Sequence, residues 1–309
     1  MNSVVVFLLV AFAATASAQC TCKTMKWATC DGTPCQCTVM VGENVKQPLD
    51  CTKLIPKCFL MKAEMYRAKK GLSTRTGGKP TEHAFVDNDG IYDPECENTG
   101  TFKALQCNNT EECWCVNSAG VRRTDKGDKT LKCDKLVETY WVRLELKHKD
   151  IPGYQMDQDK LKTALKAALK ERYDMPADLT DSMEMAYDKD ARLIVLDIKK
   201  DKADKDKDLS KMAYYMEKDV KVLPLFQSTS KFEPNVEGKN VEMENILVYY
   251  VDAEPPTFTM KRLTGGVIAV IVVVILAVVA GLLILYFTNK KERAKYQKTQ
   301  VRELDEMAK

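Results

Sequence analysis

Apolar and polar residues alternate with different periods along this chain, and two stretches are apolar without interruption. Residues 265–287 form a run of 23 residues without a charged side chain. A helix of about 20 apolar residues crosses a bilayer core, so this run predicts a membrane-spanning helix. A shorter apolar run, residues 4–14, precedes Ala16-Ser17-Ala18. Small residues at these positions are typical of a cleavage site, and the pattern predicts a secretory signal peptide over residues 1–18.

Between residues 134 and 264 the apolar positions follow the periods of strands and helices. Residues 138–148 alternate between apolar and polar side chains, which predicts a half-buried strand. Residues 157–173 have helical spacing and begin at Asp157, a residue type that caps helices. The later predicted elements are a hairpin over residues 183–198, a helix over residues 209–220 and a strand over residues 246–251. The order β-α-β-β-α-β predicts a split-βαβ, α+β domain.

The cysteines divide the chain differently. All 12 lie between Cys20 and Cys133, and none lies beyond. An even number of cysteines after a signal peptide predicts a disulfide framework. Residues 19–57 hold six of them, which leaves little room for an apolar core. We therefore expect crosslinks, worth about 2–4 kcal/mol each, to stabilise this module. The cysteine-free residues 134–264 are expected to rely on a core of their own.

The charges are mixed along the chain and set its orientation in a membrane. The net charge of +3 is too small to indicate binding to nucleic acid. Lys290, Lys291 and Arg293 follow the apolar run directly, as expected for the cytoplasmic side of a span. Together with the signal peptide, this predicts an ectodomain that begins at Gln19 and a cytoplasmic tail over residues 288–309. A nuclear localisation signal is the alternative interpretation of the basic cluster.

The residue types give little support to metal binding or catalysis. The close cysteine pairs have Cys-x-Cys spacing and the only histidines are His83 and His148, which disfavours a zinc site. Residues 204–208 begin like a calcium loop, but Leu209 stands where an EF-hand requires glycine. Paired cysteines would leave no thiol nucleophile, and no Gly-x-Ser-x-Gly motif occurs. We expect no catalytic residues, no cofactor and no enzymatic activity.

A spaced set of motifs between Cys58 and Cys133 carries a resemblance. The motifs are Tyr92-x-Pro94-x-Cys96, Gly100-x-Phe102, Gln106-Cys107 and Cys113-Trp114-Cys115-Val116. Their order and spacing resemble the thyroglobulin type-1 domain, which we place at residues 58–133. The alternative is a disulfide knot without domain identity, in which a buried tryptophan replaces a larger core.

Longer segments carry a second resemblance over nearly the full chain. These segments are residues 61–65, 88–94, 120–126, 145–149, 213–215 with 217–221, and 267–274. With the order of the modules, they make the chain resemble the family of the epithelial cell adhesion molecule and its paralogue, the tumour-associated calcium signal transducer. Residues 145–149 look like the adhesion molecule, whereas residues 261–264 and 288–289 look like the paralogue. We favour the adhesion molecule.

The family resemblance implies pairings and modification sites for named residues. The implied disulfides are Cys20–Cys35, Cys22–Cys51, Cys30–Cys37, Cys58–Cys96, Cys107–Cys113 and Cys115–Cys133. Asn108 begins the one complete Asn-x-Thr sequon of the chain and falls on a family glycosylation position. The family's basic cleavage site is not reproduced in form, and Lys70 and Arg75 are the candidate proteolysis sites in its place.

The resemblance also implies partners and a location. It implies a single-pass type I protein of the plasma membrane at lateral cell–cell junctions. Its expected partners are a second copy in the same membrane, as a cis homodimer, and claudin-type membrane proteins. Ala277 and Gly281 form a small-xxx-small step that permits close helix contact in the span. The alternative functions are inhibition of cysteine proteases by the thyroglobulin domain, and signalling by regulated proteolysis with an indirect role in adhesion.

Overall fold

The computed structural model describes residues 20–72, 92–108, 111–258 and 265–307. It consists of two compact units, Met1–Thr257 and Phe258–Lys309. The first unit contains both cysteine-rich regions and the cysteine-free region, and the second contains the apolar run. The predicted signal peptide lies outside the described residues.

The first cysteine-rich region contains a small antiparallel sheet. Strands β1 (Thr29–Asp31), β2 (Gln36–Gly42) and β3 (Val45–Leu49) lie side by side in that order. Strand β2 buries Val39 and Val41 and packs against helix α1 (Lys57–Lys69) of the next region. The expectation that residues 19–57 leave little room for an apolar core is therefore wrong, because this sheet shares buried side chains with α1. The expected crosslinks are present beside that core as three disulfides.

The second cysteine-rich region is built on α1 and a two-stranded sheet. Strands β4 (Leu105–Cys107) and β5 (Cys113–Cys115) pair antiparallel. Trp114 on β5 is buried, and Tyr92 meets it edge to face with ring centroids 5.4 Å apart. Gly120 has a φ of 75°, and a Cβ atom there would lie 2.5 Å from the Phe102 ring. Only glycine lets the backbone approach that ring.

The cysteine-free region forms a four-stranded antiparallel sheet with helices against one face. Its elements, in chain order, are β6 (Thr139–His148), α2 (Gln158–Tyr173), α3 (Ala177–Asp181), β7 (Glu184–Asp188), β8 (Leu193–Lys199), α4 (Leu209–Glu217), β9 (Asn235–Val236), β10 (Lys239–Asn240) and β11 (Met243–Asp252). The main sheet has the order β11-β6-β8-β7. The predicted β-α-β-β-α-β arrangement is thus confirmed as a split-βαβ fold.

Local sequence signals explain where the helices of this region begin. The Asp157 carboxylate accepts hydrogen bonds from the backbone N–H groups of Asp159 and Lys160, each at 3.0 Å, so it caps α2 as predicted. Asp208 caps α4 through the N–H of Ser210 at 2.9 Å. The second predicted helix, residues 209–220, ends differently, because α4 passes into a π-helix over Lys218–Val222.

The cysteine-free region also shares buried contacts with the other two. The Tyr215 hydroxyl donates to the carbonyl oxygen of Thr24 at 2.7 Å and accepts from the N–H of Ile55 at 3.3 Å. The N–H of Lys26 donates to the carbonyl oxygen of Leu225 at 2.8 Å. Helix α4 also reaches the second cysteine-rich region, because the Tyr214 hydroxyl donates to Glu64 on α1 at 2.6 Å. The cysteine-free region therefore does not rely on its own core alone.

The second unit is one long helix, α5 (Gly265–Met307). Within Val267–Lys291 a stretch of 18 residues has a mean hydropathy of 3.5, and by length and composition this part of the helix can cross a membrane. This agrees with the predicted span over residues 265–287. The backbone remains helical through most of the predicted tail, residues 288–309, where the sequence pattern predicts no helix or strand.

Candidate functional site

The twelve cysteines are all held in disulfides. The pairs are Cys20–Cys35, Cys22–Cys51, Cys30–Cys37, Cys58–Cys96, Cys107–Cys113 and Cys115–Cys133. The sulfur atoms of Cys20, Cys30, Cys35 and Cys37 lie close enough together to surround a metal ion. They belong to two disulfides and offer no thiolate ligand, so this cluster serves as a crosslink.

The four-stranded sheet has a second face, opposite the helices. On β6, Val142, Leu144 and Leu146 are fully buried, and β6 packs against α4 on that side. The residues between them, Arg143 and Glu145 among others, are half-buried and lie on the other face. No described helix or strand of the first unit is stacked on this second face. We call it the uncovered sheet face.

Strand register fixes the neighbours across the uncovered sheet face. Tyr249 on β11 lies opposite Arg143 on β6, which lies opposite Asp197 on β8. In the next row, Leu247 lies opposite Glu145. Leu247 and Tyr249 are 45% and 46% exposed. The β11 edge of the face is therefore apolar and aromatic, while its centre is charged.

A rigid polar cluster occupies the centre of this face. The Arg143 guanidinium holds the Asp197 carboxylate through two hydrogen bonds of 2.8 Å, and the Trp141 ring N–H donates to the same carboxylate at 2.8 Å. The hydrogen bond from Arg143 lowers the pKa of Asp197 below its ordinary value. The Lys199 Nζ lies 4.9 Å from the Trp141 ring centroid. These contacts fix the side chains before any partner arrives.

The chemistry of this arrangement is that of binding. Arg143 and Asp197 at the centre of the face are already paired with each other, and Leu247 and Tyr249 lie at its edge. Within the part of the chain that the structure describes, no nucleophile lies beside a general base on this face. A flat surface with fixed aromatic side chains and charges of both signs suits a protein partner.

A second cluster of charges is buried between the thyroglobulin-like region and the α+β region. Glu64 on α1 accepts hydrogen bonds from the Lys218 ammonium at 2.8 Å and the Tyr214 hydroxyl at 2.6 Å. Lys57 is buried beside them, with its Nζ 4.3 Å from the Tyr250 ring centroid. Burial lowers the pKa of Lys57 to about 8. We call these five residues the junction cluster.

The predicted modification sites lie elsewhere and are not brought together. Lys70 follows the end of α1, and its Nζ lies 2.6 Å from Glu43. Arg75 lies outside the described residues. Asn108 lies just beyond β4, and its side-chain amide donates to Glu112 at 3.2 Å. The rest of its sequon lies outside the described residues.

The predicted helix-contact residues lie in α5. Ala277 and Gly281 are four positions apart and therefore share one face of this helix. A Cβ atom at Gly281 would meet nothing within 4 Å.

Sequence reasoning missed the uncovered sheet face. The available signal was the unbroken apolar and aromatic run in residues 246–251, because alternate side chains of a strand point to opposite faces and some of these must lie on the side away from the core.

Two families match the sequence, each over one region. The family described as thyroglobulin type-1 repeat matches residues 63–133, and the family described as EPCAM/Trop-2, C-terminal matches residues 139–252. The first match confirms the predicted thyroglobulin domain. The second covers the whole main sheet of the α+β region, including the uncovered sheet face.

Individual relatives extend the similarity to the whole chain. Human tumor-associated calcium signal transducer 2 is 42% identical over 297 residues, which cover 94% of this chain and 88% of the relative. Bovine epithelial cell adhesion molecule is 45% identical over 279 residues, or 88% of this chain and 84% of the relative. Mouse epithelial cell adhesion molecule is 40% identical over 303 residues, or 95% and 92%. The two paralogues match about equally, and the chain belongs to the EPCAM/Trop-2 family.

Proposed function

We propose that this chain is an epithelial cell-surface glycoprotein that supports cell–cell adhesion by pairing with a second copy of itself in the same membrane. The uncovered sheet face is the observation that carries this proposal, because it is the surface on which a partner would bury exposed aromatic and apolar side chains. Relatives that bear the names of an adhesion molecule and of a signal transducer support the cell-surface role. Helix α5 supplies the single span that a type I protein requires.

A second copy is the partner that the charges favour. A two-fold interface places one surface patch opposite the same patch of the partner, so the patch must complement itself. The uncovered sheet face carries the cations Arg143 and Lys199 beside the anions Asp197 and Glu145, so it presents both signs of charge to a second copy of itself. Leu247 and Tyr249 then supply the apolar contact that charges alone do not.

Other parts of the proposal rest on the family resemblance. We place the protein in the plasma membrane at lateral cell–cell junctions, with claudin-type membrane proteins as lateral partners. Ala277 and Gly281 would let a neighbouring helix approach α5 closely. Proteolytic release of the tail, residues 288–309, would give the family's signalling role. Accumulation of a tail fragment after its degradation is blocked tests that role, and a complete lack of fragment contradicts it.

Self-association is tested with the glycosylated ectodomain, residues 19–262, by sedimentation equilibrium. We expect the wild type to dimerise and Tyr249→Arg to remain monomeric over the same concentrations, because an added cation breaks the apolar edge of the face. Val45→Arg is the matched control, since Val45 is 54% exposed on the first small sheet. A dimer that survives Tyr249→Arg would contradict the use of this face.

The same measurement separates direct from indirect adhesion. A wild-type dimer that goes on to form tetramers at high concentration supports contact between dimers on opposite cells. A dimer that stops there supports a unit within one membrane, with adhesion through lateral partners. A monomer at every concentration contradicts ectodomain pairing and leaves α5 as the element to test.

A further inference from the structure

One arginine of the thyroglobulin domain binds the segment that leads out of the first unit. We call residues 252–257 the stalk segment. The Arg123 Nε donates to the Asp252 carboxylate at 2.8 Å. Its Nη2 donates to the carbonyl oxygens of Glu254 and Pro255 at 2.7 and 2.8 Å. A single guanidinium therefore holds a side chain and two backbone groups of the stalk segment.

Backbone pairing continues this contact. The N–H of Thr257 donates to the carbonyl oxygen of Arg123 at 2.9 Å, and Thr124 forms a parallel bridge with Thr257. On its other side, the N–H of Arg123 donates to the carbonyl oxygen of Cys115 at 2.8 Å. The stalk segment is thus joined by one parallel bridge to the β-structure that contains the Cys-Trp-Cys motif.

The contact is shielded from water, and its charged groups are hydrogen-bonded to neighbouring residues. The side chains of Arg123 and Asp252 are each 10% exposed. Asp252 also accepts hydrogen bonds from the Asn117 amide at 2.7 Å and the Thr139 hydroxyl at 3.1 Å. Both buried charges are therefore paired and further hydrogen-bonded. Under these conditions the attraction within a buried ion pair can offset the cost of removing the charges from water. We call this arrangement the Arg123 clamp.

We propose that the Arg123 clamp is a built-in control on proteolysis, because it keeps the stalk segment from entering the active site of an endoprotease until the thyroglobulin domain lets it go. A protease binds its substrate as an extended strand through the substrate's backbone groups. Those groups at residues 254, 255 and 257 are occupied by Arg123. The rate of cleavage near Phe258 is then proportional to the small fraction of molecules in which the clamp is open.

This inference deepens the proteolytic part of the proposed function, but its test needs only an added protease. Chymotrypsin cuts after phenylalanine, and Phe258 is 51% exposed directly beyond the stalk segment. The full chain in detergent micelles is treated with chymotrypsin, and the rate of cleavage after Phe258 is followed by mass spectrometry. A synthetic peptide of residues 250–264 gives the rate for an unclamped substrate.

The informative variant combines Arg123→Gln with Asp252→Asn, since it removes both buried charges and leaves neither without a partner. We expect the wild type to be cut at least about tenfold more slowly than the peptide, because one hydrogen bond to a charged group already shifts an equilibrium by about that factor. The double variant should approach the rate of the peptide. Lys135→Gln is the matched control, because it removes only the exposed ion pair with Glu254 and should stay within about twofold of the wild type.

Three results would overturn the inference. They are a wild type cut as fast as the peptide, a double variant cut as slowly as the wild type, and a loss of protection throughout the fold. Amide hydrogen exchange detects the last of these by comparing Thr257 with Leu144 in the central strand β6. Exchange that rises at Thr257 alone supports a local clamp, whereas a rise at both means that Arg123 holds the whole domain. The variants leave Leu247 and Tyr249 unchanged, so dimerisation measured on the same proteins is a separate result.

Discussion

The cysteine-rich residues 20–133 and the cysteine-free residues 134–258 hold their chain in place by different means. Strands β1, β4 and β5 have three residues each, whereas β6 and β11 have ten each. Short strands make few ladder hydrogen bonds and bury little surface, so the first part relies on its disulfides in addition to the side chains buried between β2 and α1. The second part has long strands and a helix layer, and its central side chains are fully buried without any crosslink.

The comparison teaches how the two kinds of structure are joined. Their boundary has the junction cluster, in which Glu64 from the crosslinked part binds Lys218 and Tyr214 from the layered part. Buried ionic contacts have strict geometric requirements, so they fix one relative arrangement of the two parts, where apolar contacts alone would tolerate several. Substitutions at the boundary, in the crosslinked part and at one titrating group should therefore change the stability of the protein in different ways.

Loss of the boundary contact should have the largest effect. Glu64→Ala leaves the Lys218 ammonium buried without its partner, and we expect it to lower the free energy of unfolding by about 3–5 kcal/mol. Urea denaturation of the ectodomain measures this. Glu95→Ala is the control, because its pair with Lys103 is exposed and should contribute less than about 1 kcal/mol. Equal effects of the two variants would mean that the junction cluster does not couple the two parts.

Removal of one long crosslink should act within the first part. Cys58 and Cys96 are separated by 38 positions, and replacing both with alanine should cost about 2–4 kcal/mol, because the unfolded chain regains the freedom of a long loop. Replacing Cys107 and Cys113, only six positions apart, should cost less. Hydrogen exchange should rise in β4 and β5 while β6 and β8 stay protected. A rise in β6 as large as that in β4 would show that the two parts unfold as one.

The smallest effect is a change of stability with pH. Burial lowers the folded-state pKa of Lys57 to about 8, from an ordinary value of 10.5. Between these values the unfolded chain binds more protons than the folded one, so stability should rise with pH by at most about 1.4 kcal/mol per unit. Lys57→Met should remove this rise between pH 8 and 9, below the range in which tyrosine side chains of an unfolded chain ionise. Identical slopes in the two proteins would contradict the assignment to Lys57.

Local elements of the α+β region could be predicted from the sequence. Helix α2 was expected over residues 157–173 and occurs at residues 158–173, because Asp157 supplies a cap and the apolar positions keep one period. Strand β6 was expected over residues 138–148 and occurs at residues 139–148, because its alternation is strict. Both elements could be predicted because the signals that define them lie within their own residues.

Contacts between distant segments could not be predicted in this way. Glu64 and Lys218 are 154 positions apart, and neither interrupts the pattern of its own helix. The π-helix that follows α4 could not be predicted from the sequence either. It contains Lys218 and Asp219, which are buried and paired with residues far away in the chain. The uncovered sheet face needed the strand register, since alternation tells which side chains face the core but not whether another layer covers the opposite face.

The sheet order has a mechanical consequence. Strands β6 and β11 are antiparallel neighbours, with Thr139 opposite Asp252, so the chain enters and leaves the α+β region at the same end. If the protein joins two cells, tension reaches it through residue 258. Without the Arg123 clamp, that tension would peel β11 from β6 one hydrogen bond at a time. With the clamp in place, the load passes from Thr257 to Arg123 and on to the disulfide-braced strand β5, so the sheet bears little of it.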